Sequence, residues 1–83
     1  MRLPRDLSGE DLAKALSRLG YEVTRQTGSH MRLTTQREGE HHLTIPRHKP
    51  LRVGTVAAIL RDVAQHFGVS RQELTDQLFR AGQ

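Results

Sequence analysis

The sequence predicts an α+β fold in which one helix precedes a three-stranded antiparallel sheet and two helices follow it. Apolar residues recur at helical spacing near both ends of the chain, whereas apolar and polar residues alternate in the middle third. Short glycine-containing turns separate the alternating segments, and such connections join neighbouring antiparallel strands. Because each main helix carries one apolar stripe, we expect both helices to pack on one face of the sheet and to leave the other face to solvent.

The first helix is expected over about 8–19. Ser8 is suited to cap its free amides, and Glu10 and Asp11 place negative charge in the first turn, where the helix dipole favours it. Gly20 is expected to end the helix. The apolar stripe consists of Leu12, Ala15, Leu16 and Leu19.

Three short strands follow. They are expected at about 21–26, 29–36 and 41–46. Two turns separate them, Thr27-Gly28 and Glu38-Gly39, and glycine at each turn permits a positive φ. The strands therefore form an antiparallel meander.

The alternation assigns each strand residue to one face of the sheet. The residues expected on the covered face are Tyr21, Val23, Met31, Leu33, Leu43 and Ile45. The pleat then places polar neighbours on the opposite, free face, which we expect to comprise Glu22, Thr24, His30, Arg32, Thr34, His42 and Thr44. A one-residue slip would expose the apolar set, so the register is well specified.

The segment after the sheet begins with a loop over 46–50, in which two prolines bracket Arg47, His48 and Lys49. A second helix is expected from Gly54, with Thr55 as its N-cap. Its apolar face consists of Val56, Ile59, Leu60, Val63 and Phe67.

Gly68 is expected to end the second helix. Ser70 and Glu73 form a capping box that starts a short third helix reaching about Phe79. Leu74 and Leu78 are expected to face inward. We therefore predict a single domain over 1–83, with a core at about 8–69 and an appended C-terminal helix at about 70–80.

Composition narrows the class of protein. Thirteen Lys and Arg residues face nine Asp and Glu residues, and the net charge is +4 with neutral histidines. This balance favours a nucleic acid or an acidic protein as partner. The chain has no cysteine, which excludes disulfides and thiolate–zinc sites. No signal peptide or membrane span is evident, so we expect a cytoplasmic protein.

Four segments in order carry a family resemblance: LGY at 19–21, GSH at 28–30, LTIPRH at 43–48 and GTVAAILRD at 54–62. This set, within about 8–75, resembles the HicA family, the small toxins of HicAB toxin–antitoxin pairs. The resemblance implies a fold similar to double-stranded-RNA-binding domains, endonuclease activity on mRNA, and inhibition by a HicB-type antitoxin. It also implies that His30, in the Gly-Ser-His motif, is the essential histidine. The chain departs from the family at 63–68, where it carries several extra residues.

Independent chemical reasoning also points to His30. RNA carries its own nucleophile, the 2′-hydroxyl, and histidine titrates near neutral pH, so it can act as base or acid. Arg32, two residues along the same face, is a candidate phosphate contact. No carboxylate cluster suited to two-metal chemistry is evident in the sequence. We therefore expect no cofactor and no metal.

The remaining site candidates have competing interpretations. Arg47 and Lys49 are expected to contact RNA phosphates, although ordinary solvated loop charge is the plainer interpretation. His48 is a weaker candidate for a second proton transfer, and phosphate binding is at least as good an assignment. Gly28 and Ser29 are expected to let RNA approach closely or to form plain turn contacts.

Two alternative sites are disfavoured from the sequence. Three histidines, His30, His42 and His48, are a minority candidate for a metal site because no cysteine and no helical His-x-x-x-His spacing accompany them. A Ser29–His30 dyad is disfavoured because adjacent strand residues point to opposite faces. The same rule separates His41 from His42.

The functional hypothesis is a toxin-type mRNA endonuclease that is monomeric alone and forms a hetero-oligomer with its antitoxin. Two alternatives remain open: a non-catalytic double-stranded-RNA-binding module, and a basic domain that binds an acidic protein.

Overall fold

The computed structural model describes residues 6–79 and has the predicted order of elements. The helices and strands are α1 (Gly9–Leu16), β1 (Glu22–Thr27), β2 (His30–Thr35), β3 (His41–Pro46), α2 (Val53–Phe67) and α3 (Arg71–Phe79). A 3₁₀ turn over Ser17–Leu19 extends α1. The three strands form one antiparallel sheet in the order β1-β2-β3. The predicted fold class is confirmed.

The first helix is capped as predicted, and Asp11 strengthens the cap. The Asp11 amide donates to Ser8 Oγ at 3.0 Å, and the Ser8 amide donates to the Asp11 carboxylate at 3.3 Å. Hydrogen bonding to the carboxylate from the Ser8 side chain and from the Ser8 amide favours its ionised form and holds the pKa of Asp11 below its ordinary value. Gly20, with φ +86°, ends the segment.

One apolar cluster joins the helices to the covered face of the sheet. Its most deeply buried residues include Leu12, Leu16, Leu33, Ile45, Leu60, Val63 and Leu74. Since these residues come from all three helices and two strands, α1 and α2 pack on the same face of the sheet, as predicted. Leu78 of α3 is also buried, so both predicted inward residues of that helix are confirmed. Within residues 6–79, no helix has the length and apolar character needed to span a membrane.

The start of α2 differs from the prediction. The helix begins at Val53, its N-cap is the extended residue Arg52, and Thr55 lies in the first turn. The assignment of Thr55 as N-cap was wrong because the Arg52 carbonyl already accepts the first helical hydrogen bond, from the Val56 amide at 3.0 Å. No side chain caps this end of the helix.

Strand β1 also departs from the prediction. Val23 pairs with Leu33, but the next pair is Arg25 with Arg32, so Thr24 is an extra residue in a β-bulge. The bulge reverses the alternation beyond it, and Arg25 and Thr27 fall on the free face. Val23 is on the covered side but is 48% exposed, because the helices pack mainly against β3 and not against β1. Val23 therefore lies on the expected face without being buried.

Candidate active site

His30 lies at the start of β2 on the free face of the sheet. It pairs with Thr27 of β1 on one side and with Pro46 of β3 on the other. Met31 and Leu33 are buried in the core, whereas His30 and Arg32 are exposed. The predicted register is therefore confirmed, and the buried half of β2 fixes the position of its polar half.

The turn before His30 places a hydroxyl group beside its ring. Thr27 pairs with His30, so the turn consists of Gly28, with φ +47°, and Ser29. Ser29 Oγ lies 3.2 Å from His30 Nδ1. The expectation that Ser29 and His30 point apart was wrong, because Ser29 belongs to the turn and not to the strand.

The two ring nitrogens of His30 are in different environments. Nδ1 faces the Ser29 hydroxyl, whereas Nε2 has no hydrogen-bond partner among residues 6–79. An imidazole with one oriented nitrogen and one free nitrogen is able to take up or deliver a proton at the free position.

A shallow recess of about 240 Å³ lies beside His30 on the free face. Its lining residues are Arg25, Thr27, His30, Met31, Arg32 and Thr44. Arg25 is the residue that sequence reasoning missed. Simple alternation places Arg25 on the covered face, and a charged side chain at such a position indicates a bulge.

The far end of the free face carries a chain of hydrogen bonds. Thr24 Oγ1 lies 3.0 Å from Thr34 Oγ1, which lies 2.8 Å from His42 Nδ1. His42 Nε2 lies 2.7 Å from the Glu40 carboxylate. Both nitrogens of His42 are therefore engaged, in contrast to those of His30.

His42 does not join His30 in one site. His42 pairs with Thr34, four residues along β2 from His30. Across the part of the chain that the structure describes, no group of three or more His, Asp or Glu residues is arranged to hold a metal ion.

The basic loop adjoins the His30 turn through its backbone. The Arg47 amide donates to the Ser29 carbonyl at 2.7 Å, and the Gly9 amide donates to the His48 carbonyl at 3.0 Å. The Arg47 guanidinium pairs with Glu10 at 2.9 Å, an exposed ion pair. Arg47, His48 and Lys49 are all exposed beside the turn.

Gly9 permits the close approach of α1 to this loop. A Cβ at Gly9 would overlap the Pro46 carbonyl oxygen. The α1 N-terminus, the end of β3 and the His30 turn are therefore packed backbone against backbone.

His41 precedes His42 in the sequence but lies on the covered side of the sheet, where its partners differ from those of His42. Its Nδ1 lies 2.7 Å from the Tyr21 hydroxyl, and its Nε2 lies 3.1 Å from Asp62. Its ring stacks on His66 at 4.4 Å, and His66 Nε2 lies 2.8 Å from the Arg37 carbonyl. We call Tyr21, His41, Asp62 and His66 the His41 cluster. The prediction that His41 and His42 point to opposite faces is confirmed.

Tyr21 is the buried member of the His41 cluster. Its side chain is 1% exposed, and burial, together with the charge of Asp62, raises the pKa of its hydroxyl well above the ordinary value. The hydroxyl therefore stays protonated at neutral pH and acts as a structural hydrogen-bond partner.

Comparison with known protein families finds a match over the segment that contains His30. The model of a family described as the HicA toxin of bacterial toxin–antitoxin systems matches residues 9–64, more than half of the chain. The matched segment runs from the start of α1 into α2 and includes His30 and the basic loop; it ends before His66. No curated protein and no solved structure matches the chain.

Proposed function

Since the chain belongs to the HicA toxin family of bacterial toxin–antitoxin systems, we propose that it is an endoribonuclease that cleaves mRNA with His30 as general acid or base. The observation that carries this proposal is the environment of His30. Its Nε2 is free, its Nδ1 is oriented by Ser29, and arginine side chains flank it in an open recess.

The proposed reaction uses the nucleophile that RNA supplies. His30 takes the proton of a 2′-hydroxyl, and the 2′-oxygen forms a bond to the adjacent phosphorus. The bond from phosphorus to the 5′-oxygen breaks, and that oxygen leaves with a proton. The products are a 2′,3′-cyclic phosphate and a 5′-hydroxyl, so the step consumes no water and needs no metal ion to generate the nucleophile.

The source of the second proton lies at or near the same turn. His30, once protonated, can return its proton to the leaving oxygen, and His48 is the alternative donor. Arg32 lies two residues from His30 on the same face and is proposed to contact the phosphate. Its positive charge stabilises the negative charge that develops on the phosphorane.

The neighbouring loop and turn are proposed to position the RNA. Arg47, His48 and Lys49 are exposed beside the His30 turn, where they can contact backbone phosphates without reading sequence. Gly28 carries no side chain and has open space around it, so it leaves room for the RNA backbone. Ser29 orients the imidazole.

Membership of a toxin–antitoxin family implies an antitoxin partner. We propose a HicB-type antitoxin that binds the toxin and blocks cleavage, with the toxin monomeric when alone. Expression of the chain without its antitoxin should then arrest growth, and expression of His30→Ala should not.

A cleavage assay tests the catalytic proposal. Purified wild-type protein should cut labelled single-stranded RNA in excess chelator, and His30→Ala should lose about 10²–10⁴-fold in rate. RNA affinity should change little, because His30 is neither the main positive charge nor a packing residue. His42→Ala, a free-face histidine with both nitrogens engaged, is the matched control and should cleave normally.

The same assay separates the alternatives. A wild-type protein that binds RNA in a salt-dependent way but never cuts it would assign the chain as a non-catalytic RNA-binding module. Tight binding to an acidic protein without RNA affinity would assign it as an interaction domain. Equal cleavage by wild type and His30→Ala would contradict the role of His30.

A further inference from the structure

Two arginines face each other beside His30. Arg25 of β1 and Arg32 of β2 are directly opposite on the free face, a geometry that places their Cβ atoms about 4.5–5.5 Å apart. Like charges in this position destabilise a sheet. Neither side chain forms an ion pair or a hydrogen bond with another of residues 6–79.

The acids on this face do not neutralise the arginine pair. Glu22 pairs with Thr34, two residues along β2 from Arg32. It forms no ion pair with an arginine among residues 6–79. Glu40 is engaged by His42. The pair is thus a local concentration of positive charge that the fold itself leaves uncompensated.

Three other arginines have acceptors within the fold. Arg18 donates to the carbonyls of Gln77 and Leu78, and Arg37 donates to the Arg18 carbonyl. The Arg47 guanidinium donates a hydrogen bond to the Glu10 carboxylate. Arg52, Arg61 and Arg71 also lack such an acceptor among residues 6–79, so what distinguishes Arg25 and Arg32 is that they face each other beside His30.

The bulge at Thr24 creates this pair. With simple alternation Thr24 would pair with Arg32, and Arg25 would lie on the covered side. The extra residue is fixed in place, since Thr24 Oγ1 donates to the Arg32 carbonyl at 3.3 Å. A bulge held opposite Arg32 therefore turns a second guanidinium towards the His30 recess.

We propose that Arg25 and Arg32 together form a clamp for the scissile phosphate of RNA, beside the free nitrogen of His30. The ligand chemistry is that of a phosphodiester, for which planar guanidinium forks from two strands are suited. This inference rests on the proposed function, and it adds Arg25, together with the bulge that orients it, to the site.

The second arginine favours the transition state over the ground state. A phosphodiester carries one negative charge, and the phosphorane formed by attack of the 2′-oxyanion carries two. Two adjacent cations therefore bind the phosphorane more tightly than the diester, which accelerates the reaction instead of only tightening binding.

A phosphate titration tests the clamp without requiring cleavage. Inorganic phosphate added to the full chain should shift the NMR signals of the Arg25 and Arg32 side chains together, with a common saturation curve. Arg25→Gln should weaken phosphate binding by about tenfold. Arg61→Gln removes an exposed arginine of α2 and should leave the affinity unchanged.

A charge-conserving variant tests the role of the bulge. In the double variant R25T/Q26R the arginine moves to the position that pairs with Met31 on the covered side, where the edge strand leaves it exposed. Net charge is unchanged, yet phosphate affinity should fall as in Arg25→Gln. Wild-type affinity in this variant would show that bulk charge suffices and would overturn the proposal.

Cleavage kinetics provide the second readout. Arg25→Gln should lower kcat by about 10²-fold with little change in KM. A raised KM with unchanged kcat would contradict the transition-state role. Unchanged phosphate affinity and kcat with weakened antitoxin binding would assign the pair to a carboxylate-bearing protein and overturn the proposal.

The two readouts separate failure of the clamp from failure of the proposed function. If the wild-type protein never cuts RNA but phosphate still binds the Arg25–Arg32 pair, the endonuclease proposal fails and the anion site stands. If the protein cuts RNA but added phosphate shifts the NMR signals of all arginines equally, the clamp proposal fails and the endonuclease proposal stands.

Discussion

His30 and His41 lie at opposite ends of one sheet and on opposite faces, and the fold treats them in opposite ways. His41 has partners on both ring nitrogens and a stacked neighbour. His30 is exposed and has a single partner, on Nδ1, among the described residues. The number of histidines therefore does not identify a site. A better indicator is a histidine with a free ring nitrogen that lies beside arginines without ion-pair partners.

The largest expected effect on stability is at His41. His41→Ala removes the stacked ring and leaves the buried Tyr21 hydroxyl without its partner, so we expect a loss of about 2–4 kcal/mol in the free energy of unfolding. Urea unfolding measures this loss. His30→Ala is the matched control and should remain within about 0.5 kcal/mol of wild type. Equal destabilisation by the two changes would remove the distinction between the two histidines.

The second effect is at the His30 end and comes from backbone packing. Gly9→Ala forces α1 away from the Pro46 carbonyl, and overpacking of this kind costs about 1–3 kcal/mol. Because Pro46 pairs with His30, cleavage should fall as well. Gly54→Ala is the control, since a Cβ at Gly54 meets open space and helix propensity favours alanine. Unchanged stability and cleavage in Gly9→Ala would show that the contact is dispensable.

The third effect concerns pH at the His41 end. The pKa of Tyr21 is raised in the folded state, so the unfolded chain loses its tyrosine proton first as pH rises above about 10. The contribution of Tyr21 to the free energy of unfolding is fully present below that pH. Above it, the contribution falls by about 1.4 kcal/mol per pH unit. Tyr21→Phe should remove that slope.

The chain has a single tyrosine, which makes this titration easy to follow. Ultraviolet absorbance should show no ionisation of Tyr21 until the protein unfolds. Ionisation at the ordinary pKa in the folded protein would contradict its burial in the His41 cluster.

The smallest effect is at Ser29. Ser29→Ala removes the hydroxyl that orients His30 Nδ1, a hydrogen bond worth about 0.5–1.5 kcal/mol. Cleavage should fall by roughly threefold to tenfold. Ser29→Thr retains a hydroxyl and should restore much of the activity. A wild-type cleavage rate in Ser29→Ala would indicate that the contact does not influence the imidazole.

The parts of the fold that local pattern determines were predictable from sequence. Buried Met31 and Leu33 set the register, and this register turned His30 outward as expected. The N-cap at Ser8 and the capping box at Ser70 were predictable for the same reason, because each depends on residues close together in sequence.

The parts that depend on tertiary pairing were not predictable. The bulge at Thr24 is defined by its partner strand, so alternation alone would place Arg25 on the covered face. The N-terminus of α2 was misplaced because Arg52 caps it through its backbone, and residue type carries no signal for that. The His41 cluster joins β3 to α2 across more than twenty residues of chain.

The most direct test of the account compares single-turnover RNA cleavage by His30→Ala and His41→Ala at a temperature where both remain folded. His30→Ala is expected to lose about 10²–10⁴-fold in rate and to keep wild-type stability. His41→Ala is expected to cleave at nearly the wild-type rate although it unfolds more readily. A folded His41→Ala that cannot cleave, beside a His30→Ala that still does, would contradict the account.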